Sequence, residues 1–244
     1  MRRRPPPARL RKGRAGAHPI ESVSDHRTGS DMTEEIRTTA GRPIGARGLK
    51  TRSQLLLCLK ELLAESGYHA TRVIDVARRA RTSPATFYQY FADVDAAVLE
   101  LARPAAQEGS DGLIYAEIGS WWGGGRRAAG STVDAVFAFW REHEVVLRVV
   151  DLRAAEGDSR FTEIRRRALS GLLGHLEYAI TTRPSSPGAT DDSFAAAEAL
   201  TVLLAAAAGR HDPEAADPVV VRQMLVDLIT LAVSGGTVVQ LPTA

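Results

Sequence analysis

The chain has 244 residues, of which 44% are hydrophobic and 25% charged, which is ordinary for a globular protein with one large core or two small ones. Its one cysteine, Cys58, excludes an intramolecular disulfide framework and a multi-cysteine metal site. No stretch approaches the ~20 apolar residues of a membrane span, and prolines and charges follow the N-terminal MRRR where a secretory signal has an apolar core, so we expect a cytoplasmic protein without a membrane partner.

The net charge of +2 is unevenly distributed along the chain. Residues 1–52 carry 13 basic and 5 acidic residues, a net charge of +8, whereas residues 91–244 carry 13 basic and 21 acidic residues, a net charge of −8. This asymmetry indicates an N-terminal part that meets a polyanion, although basic tails also serve only to keep proteins soluble. Residues 1–46 lack apolar periodicity and are rich in Arg, Pro, Gly, Ser and Thr, so we expect a disordered basic arm there.

Regular structure is predicted to begin with an amphipathic helix whose leucines recur on one face, at Leu55, Leu56, Leu59, Leu62 and Leu63. Gly67 is placed to end this helix. We expect Thr71 to cap a second helix and Ser83 to cap a short third helix with Pro84 at its first position, where its missing N–H costs nothing. Asp93 is placed to cap a fourth helix.

The rest of the chain is also predicted to be helical, because no period-2 pattern indicates strands. Candidate helices cover residues 104–118, 131–156, 158–181, 190–210 and 217–234, with glycine- and proline-rich breaks between them. The sequence therefore predicts an all-α protein.

The segment TSPATFYQYF, residues 82–91, is unusually rich in aromatic side chains for a chain in which they make up only 6%. Two short helices joined by a tight turn, after a longer amphipathic helix, are the parts of a helix-turn-helix DNA reader. The third helix would lie in the major groove, where small N-terminal residues permit close approach to base edges. We expect these small residues to be Ser83, Ala85 and Thr86.

The four aromatic rings of this segment are predicted to divide between two faces of the third helix. Phe87 and Phe91, four residues apart, would face the core, while Tyr88 and Tyr90 would present their hydroxyls to phosphates. The alternative is that all four rings are core packing. So short a helix argues against that alternative, because these positions cannot share one narrow face.

These residues carry a family resemblance. The run TRSQLLLCLKELLAESGYHATRVIDVARRARTSPATFYQYF, with its Gly-Tyr and Thr-Phe-Tyr-x-Tyr-Phe motifs, resembles the TetR family of bacterial transcriptional repressors, and the likeness extends from about Thr51 to Leu101. The resemblance implies that Thr51 and Arg52 lie near phosphate. We predict the full DNA-contacting set to be Arg47, Lys50, Thr51, Arg52, Arg72, Arg81, Thr82, Ser83, Pro84, Ala85, Thr86, Tyr88, Gln89 and Tyr90.

Two positions depart from the family pattern. The turn usually reads Ala-Gly-Val-Ser, but here Arg81 occupies the glycine position, which costs about 1 kcal/mol in a left-handed conformation and adds a cation beside DNA. A lysine that commonly binds phosphate at the start of the fourth helix is replaced by Val94. We expect Arg72, Arg81 or the basic arm to supply the missing backbone contact.

The resemblance also implies a division into domains. Residues 47–101 would form the three-helix DNA-binding domain, and residues 102–244 a helical domain that binds a small ligand and dimerises. The last two candidate helices carry continuous apolar faces that would close a four-helix dimer interface, although burial within one subunit is the alternative. The predicted interface residues are Leu200, Leu203, Leu204, Ala207, Val221, Leu225, Leu228 and Ala232.

An effector pocket should be mostly apolar with a few polar groups. The aromatic residues outside the DNA reader are its candidates, with ordinary core packing as the alternative for each: Tyr115, Trp121, Trp122, Phe137, Trp140, Phe161 and Tyr178. His143 and His175 are single helical histidines without paired ligands, so the sequence predicts no metal site, and it predicts no cofactor.

The sequence therefore predicts a repressor that binds a double-stranded, palindromic operator as a homodimer and is released by a small apolar effector. A DNA-binding regulator without a small-molecule ligand is the alternative. A small helical enzyme is disfavoured, because the chain has no GxSxG, HExxH or phosphate-binding loop.

Overall fold

The computed structural model describes residues 36–115, 121, 125–182, 192–210 and 217–234. Within these residues the chain forms eight α-helices, one 3-10 turn at Leu113–Tyr115 and no β-strand, which confirms the all-α prediction. The helices are α1 Ala46–Ser66, α2 Val73–Arg79, α3 Pro84–Tyr90, α4 Val94–Asp111, α5 Gly125–Ala155, α6 Ser159–Thr181, α7 Asp192–Ala208 and α8 Pro218–Ser234. In this part of the chain no helix combines the length and apolar character needed to cross a membrane.

Most of the predicted helix ends are confirmed. The hydroxyl of Ser83 accepts a hydrogen bond from the amide of Thr86, and the carboxylate of Asp93 accepts one from the amide of Ala96. Gly67 follows α1 with a φ of 74°, in the left-handed region that favours glycine. The prediction that Thr71 caps α2 is wrong, because its hydroxyl instead donates to the carbonyl of Gly67 at 2.7 Å and α2 begins two residues later.

Two helices differ in extent from the prediction. The helix predicted to start at residue 104 is the second half of α4, which runs through Pro104 to Asp111. The buried alanines on either side of this proline, Ala102, Ala105 and Ala106, show that tertiary packing overrides the local preference to break the helix. α5 begins at Gly125, six residues before the predicted start.

The described helices share two hydrophobic cores. The N-terminal core lies under α1–α4 and contains Leu55, Leu59, Val76, Phe87 and Phe91. It also takes in Val146, Val149 and Val150 from the second half of α5 and Phe161 from α6. The C-terminal core gathers side chains from the first half of α5 and from α6, α7 and α8, so α5 contributes to both cores.

A cluster of charged and aromatic groups, the Arg153 junction, joins α4, α5 and α6 beside the N-terminal core. Arg153 donates to the carboxylate of Asp95 at 2.9 Å and to that of Asp158 at 3.3 Å. Its guanidinium lies 5.5 Å from the centre of the Tyr68 ring. Burial and the hydrogen bond that Tyr68 donates to Asp95 raise the pKa of Tyr68 to about 12, so Tyr68 remains a donor at neutral pH.

α4 and α6 cross at backbone contact distance. A methyl group added at Gly171 would overlap the carbonyl oxygen of Gly109, and one added at Gly109 would overlap the carbonyl oxygen of Ala168. Neither glycine has a positive φ, so their role is close approach and not backbone freedom. The crossing fixes α4, which also carries the side chains that close the N-terminal core.

We predict that Gly171→Ala lowers the free energy of unfolding by about 1–3 kcal/mol, because the added methyl group must push α4 and α6 apart. Gly174→Ala on the same helix is the matched control, since its methyl group would meet nothing within 4 Å. The control should gain up to about 1 kcal/mol from helix propensity. Urea denaturation followed by circular dichroism measures both, and equal stability of the two variants would contradict the close-packing role.

Candidate DNA-reading surface and C-terminal cavities

The turn between α2 and α3 has the geometry of a helix-turn-helix. Arg81 adopts a φ of 54°, and it is the one non-glycine residue with positive φ in the described part of the chain. The amide of Arg81 donates to the carbonyl of Arg78 and that of Thr82 to the carbonyl of Ala77, which closes the end of α2. The side chain of Arg81 is exposed. The turn thus holds a cation at the position where a glycine is usual.

α3 is anchored by its two phenylalanines. Phe87 and Phe91 are buried in the N-terminal core with their ring centres 5.4 Å apart, as the sequence predicted. Tyr88, whose ring meets that of Phe87 edge-on at 5.8 Å between ring centres, is 51% exposed. Because two rings hold one face of a seven-residue helix, its other face is presented to solvent in a fixed orientation.

Tyr90 does not point away from the core as predicted. Its ring is half-buried against the N-terminal core. Its hydroxyl lies over Gly48 of α1, where an added methyl group would come within 3.3 Å of it. This hydroxyl is therefore turned toward the start of α1. The prediction that the ring points away from the core is wrong, and contact of the hydroxyl with phosphate stays a prediction.

Arg52 makes contacts within the protein. Its guanidinium forms an ion pair with Glu100 of α4, lies 5.0 Å from the centre of the Phe91 ring and leaves only 13% of its side chain exposed. Its charge is thus paired within the protein, and its proximity to phosphate stays a prediction. Thr51 is half-buried, and its hydroxyl donates to the carbonyl of Arg47.

The other predicted DNA-contacting residues share one property, which is a position at or near the surface around α3 and the start of α1. Thr82 and Thr86 are half-buried, and the exposed members are Arg47, Lys50, Arg72, Arg81, Ser83, Pro84, Ala85, Tyr88 and Gln89. No aspartate or glutamate occurs between residues 36 and 60. A surface of this kind combines cations with small polar groups, which suits contact with phosphates and base edges.

The prediction of disorder up to residue 46 is wrong for residues 36–46. Residues 36–44 form a short turn structure, the N-terminal hairpin, with an isolated antiparallel bridge between Arg37 and Pro43. α1 follows from residue 46. The sequence did not predict the hairpin, because the hydrogen bonds that attach it to the rest of the protein go to α3, some fifty residues away. The rest of the predicted arm, residues 1–35, lies outside the described residues.

A cavity of about 670 Å³ lies between α5, the end of α7 and the start of α8. Two of the predicted pocket residues, Phe137 and Trp140, line it. Trp140 is buried, and its indole N–H has no hydrogen-bond partner among the described residues. Charged side chains of α5 and of the loop after α7 also line it, three of them basic and one acidic: Arg141, Arg148, Arg210 and Glu144.

The other predicted pocket residues are not brought together there. Phe161 is fully buried in the N-terminal core, so its assignment to a pocket is wrong, because α6 turns this ring toward α4 and α5 and away from the cavity. Tyr178 is 63% exposed. Trp122 lies outside the described residues. A second cavity, of about 780 Å³, lies between α5, α6 and α7, and its lining includes Leu169, Leu173 and Phe194.

Tyr115 and Trp121 enclose His175 in the C-terminal core. The Tyr115 ring stacks on His175 at 5.1 Å between ring centres, and Trp121 lies at 5.4 Å. The Nε2 atom of His175 lies 3.1 Å from the hydroxyl of Thr132, which donates to the carbonyl of Ala128. Burial lowers the pKa of His175 to about 4, so the ring is neutral at physiological pH. The sequence predicted a single helical histidine at His175 but not this cluster, because the members of the cluster are far apart in the chain.

One group of potential metal ligands occurs among the described residues. Glu108, Glu142 and His143 place ligand atoms within 4.8 Å of one another, and His143 Nε2 lies 2.9 Å from a carboxylate oxygen of Glu108. This hydrogen bond joins α4 to α5 and accounts for the pair without an ion.

α7 and α8 bury some of the predicted interface residues and expose others. Leu204 and Leu225 are buried in the C-terminal core, so their assignment to a dimer surface is wrong. Leu203 and Leu228 are 41% and 42% exposed. The remaining four are half-buried against that core: Leu200, Ala207, Val221 and Ala232.

The exposed apolar face of α8 extends beyond the predicted set. Val220, Met224 and Leu231 are exposed together with Leu228, at the i, i+4, i+8 and i+11 spacing of one helix face. Two hydrogen bonds of 2.7 Å from Arg222 to Asp134 of α5 fix the rotation of α8. A solvent-facing apolar stripe on a helix held in this way is typical of a protein–protein contact.

Two family models match the sequence. The model described as bacterial regulatory proteins, tetR family, covers residues 59–101, and the model described as tetracyclin repressor-like, C-terminal domain, covers residues 115–240. No curated protein matches the chain at a significant level.

Solved structures of bacterial regulators have the same fold. A transcriptional regulator from Rhodococcus sp. Rha1 is 22% identical with a TM-score of 0.58, and the match covers 75% of this chain and 96% of that one. The fatty acid degradation regulator FadR from Bacillus halodurans is 17% identical with a TM-score of 0.54, over 77% and 96% of the two chains. FadR from Bacillus subtilis, solved in complex with stearoyl-CoA, is 18% identical with a TM-score of 0.53, over 76% and 99%.

We predict that His175 makes stability depend on pH between about 6.5 and 4. In this range the unfolded chain takes up a proton at this position and the folded chain, with its lowered pKa, does not, so the contribution of His175 is fully present above pH 6.5 and is lost as the pH falls. The slope is at most about 1.4 kcal/mol per pH unit, and partial exposure of the ring reduces it.

Urea denaturation at pH 7 and pH 5 measures this slope. His175→Gln should show a smaller loss of stability between the two pH values than the wild type, and His69→Gln, at an exposed histidine, is the control that should match the wild type. An unchanged pH dependence in His175→Gln would contradict the prediction.

Proposed function

The chain belongs to the TetR family of bacterial regulatory proteins, and from this we propose that it is a repressor that binds a palindromic operator as a homodimer and is released by a small effector. The observation that carries the proposal is the anchoring of α3. Its phenylalanines are buried while Ala85, Tyr88 and Gln89 face solvent on a surface with several exposed cations. A helix held in this way enters a major groove without rearrangement.

The exposed stripe on α8 supports the dimer. Val220, Met224, Leu228 and Leu231, with Leu203 of α7, offer apolar side chains to a second copy of the same surface. Leu203, Met224 and Leu228 also line the cavity beside Trp140, so the second copy would cover one side of that cavity. A two-fold contact through these helices would form a four-helix interface. Two α3 helices ~34–36 Å apart would then meet successive major grooves, which is why we propose a palindromic operator.

The cavity beside Trp140 supports an effector that is more than purely apolar. Its lining joins apolar side chains of α5, α7 and α8 to the arginines named above. The buried indole N–H of Trp140 lacks a partner in the described part of the chain, and a buried donor without one costs about 1–3 kcal/mol. We therefore propose an effector with an apolar body and a hydrogen-bond acceptor. Because FadR from Bacillus subtilis was solved with stearoyl-CoA, an acyl thioester is a sensible first compound to test.

α5 supplies a route from the cavity to the DNA-binding helices. Trp140 lines the cavity, and Arg153, about 20 Å further along the same helix, binds Asp95 in the first turn of α4. An effector that binds more tightly to one of two placements of α5 would favour that placement, and the α1–α3 unit would move with α5. Such coupling is reciprocal, so operator binding would weaken effector binding by the same factor.

We predict that Thr86→Ala with Tyr88→Phe weakens binding to the operator by about 10–100-fold, since each change removes a hydroxyl from the exposed side of α3. The probe is a duplex selected by the full-length protein from a random-sequence library. Tyr178→Phe is the matched control, because it removes an equally exposed hydroxyl on α6. A footprint that is not a pseudo-palindrome, or equal loss in the control, would contradict the proposed reading mode.

We predict that Met224→Glu with Leu228→Glu converts the dimer to a monomer, because two carboxylates would be desolvated in the contact. Light scattering after size-exclusion chromatography gives the mass. Val202→Glu, at an exposed valine of α7 that lines the second cavity, is the control and should remain dimeric. A double variant that stays dimeric would show that the interface lies elsewhere.

A further inference from the structure

We infer that the N-terminal hairpin, residues 36–44, is a second DNA-contacting element, which caps the end of α3 and holds Arg42 against phosphates flanking the groove that α3 enters. The inference rests on the proposed operator binding. It adds a contact outside the helix-turn-helix and gives the segment before α1 a defined place in the reading surface.

The hairpin is held together by its own hydrogen bonds. The amide of Thr38 donates to the carbonyl of Arg42 at 2.8 Å, and the amide of Arg42 donates to the hydroxyl of Thr38 at 3.1 Å. Gly41 closes the turn with a φ of 75°, and its amide donates to the carbonyl of Thr38. The guanidinium of Arg37 donates to the carbonyl of Gly41 at 3.0 Å. These hydrogen bonds therefore hold the backbone at Arg42 in a fixed turn.

The tip of the hairpin is bound to α3 through Thr39. Its amide donates to the carbonyl of Gln89 at 2.9 Å, and its hydroxyl donates to the carbonyl of Tyr88 at 2.9 Å. The last carbonyls of a helix have no partner within the helix. Thr39 thus supplies a cap from outside, and the hairpin moves with the helix that carries Tyr88 and Gln89.

The base of the hairpin is fixed beside α1. A methyl group added at Gly48 would be crowded by the side chain of Ile44 as well as by the hydroxyl of Tyr90. Ile44 and the hydroxyl of Tyr90 therefore both lie beside Gly48 in the first turn of α1. This arrangement places the hairpin between the start of α1 and the end of α3.

The charge of this region selects a polyanion as the partner. Arg42, Arg47 and Lys50 are exposed, and the sequence has no carboxylate between residues 36 and 60. The carbonyl end of α3 bears a partial negative charge that favours nearby cations. Since α3 itself would occupy the major groove, a cation beside its end reaches the bordering phosphates, which fix position without reading sequence.

The test compares salt dependence of binding to the selected duplex for wild type, Arg42→Gln and the control Arg127→Gln, which removes an exposed arginine of α5. The proposed dimer carries two copies of Arg42, so we expect Arg42→Gln to reduce the magnitude of the slope of log K against log salt by about 2, and the control to leave it unchanged. A slope for Arg42→Gln equal to that of the wild type overturns the inference.

Variants of Thr39 separately test the contact between the N-terminal hairpin and the end of α3. Thr39→Val should speed hydrogen exchange of peptides covering residues 36–44 in the free protein and weaken DNA binding about two- to tenfold, and Thr39→Ser should restore both. Faster exchange with unchanged DNA affinity would overturn the inference, because the hairpin would then only cap α3. A wild-type protein that selects no duplex would instead refute the proposed function itself, while the exchange result would still report the hairpin contact.

Discussion

A helix of seven residues has no stability of its own, so the proposed DNA-reading face of α3 depends on what holds its buried side. Phe87 and Phe91 provide most of that hold, because a fully buried aromatic ring contributes several kilocalories per mole to a core. The guanidinium of Arg52 covers the edge of this anchor through the Phe91 ring and Glu100. Arg52 thus helps to orient α3.

The positions of α4 and α5 are likewise fixed by the groups that pack against them. α4 is pinned at one end by the crossing of Gly109 with α6, and at the other it enters the N-terminal core. α5 contributes to both cores, so a displacement of its first half is not absorbed locally in a close-packed interior. The Arg153 junction would then pass this displacement to α4, because Arg153 forms an ion pair with Asp95. Such a chain of contacts links the effector cavity of the proposal to the DNA-reading surface.

The sequence predicted what depends on local chemistry. The all-α class, the α3 anchor and the caps at Ser83 and Asp93 follow from periodicity and side chains within one turn of each other. What it missed depends on distant partners: Arg52 meets Glu100, and Thr39 meets the end of α3. The apolar patterns on α7 and α8 predicted that both helices pack through apolar faces. They did not predict that Leu204 and Leu225 face inward, because a helix with apolar residues all round does not specify its own rotation.

The departures from the family pattern act together on one surface. Val94 removes a cation at the start of α4, and it is half-buried against the N-terminal core, so that position contributes packing instead of charge. Positive charge occurs instead at Arg81 in the turn and at Arg42 in the N-terminal hairpin, on either side of α3. Arg81 accepts a left-handed conformation that glycine would adopt at lower cost. A cation at each end of α3 would restrain the angle of the helix in a groove more than a single cation would. Two separated phosphate contacts fix the direction of the helix, whereas one contact leaves it free to rotate.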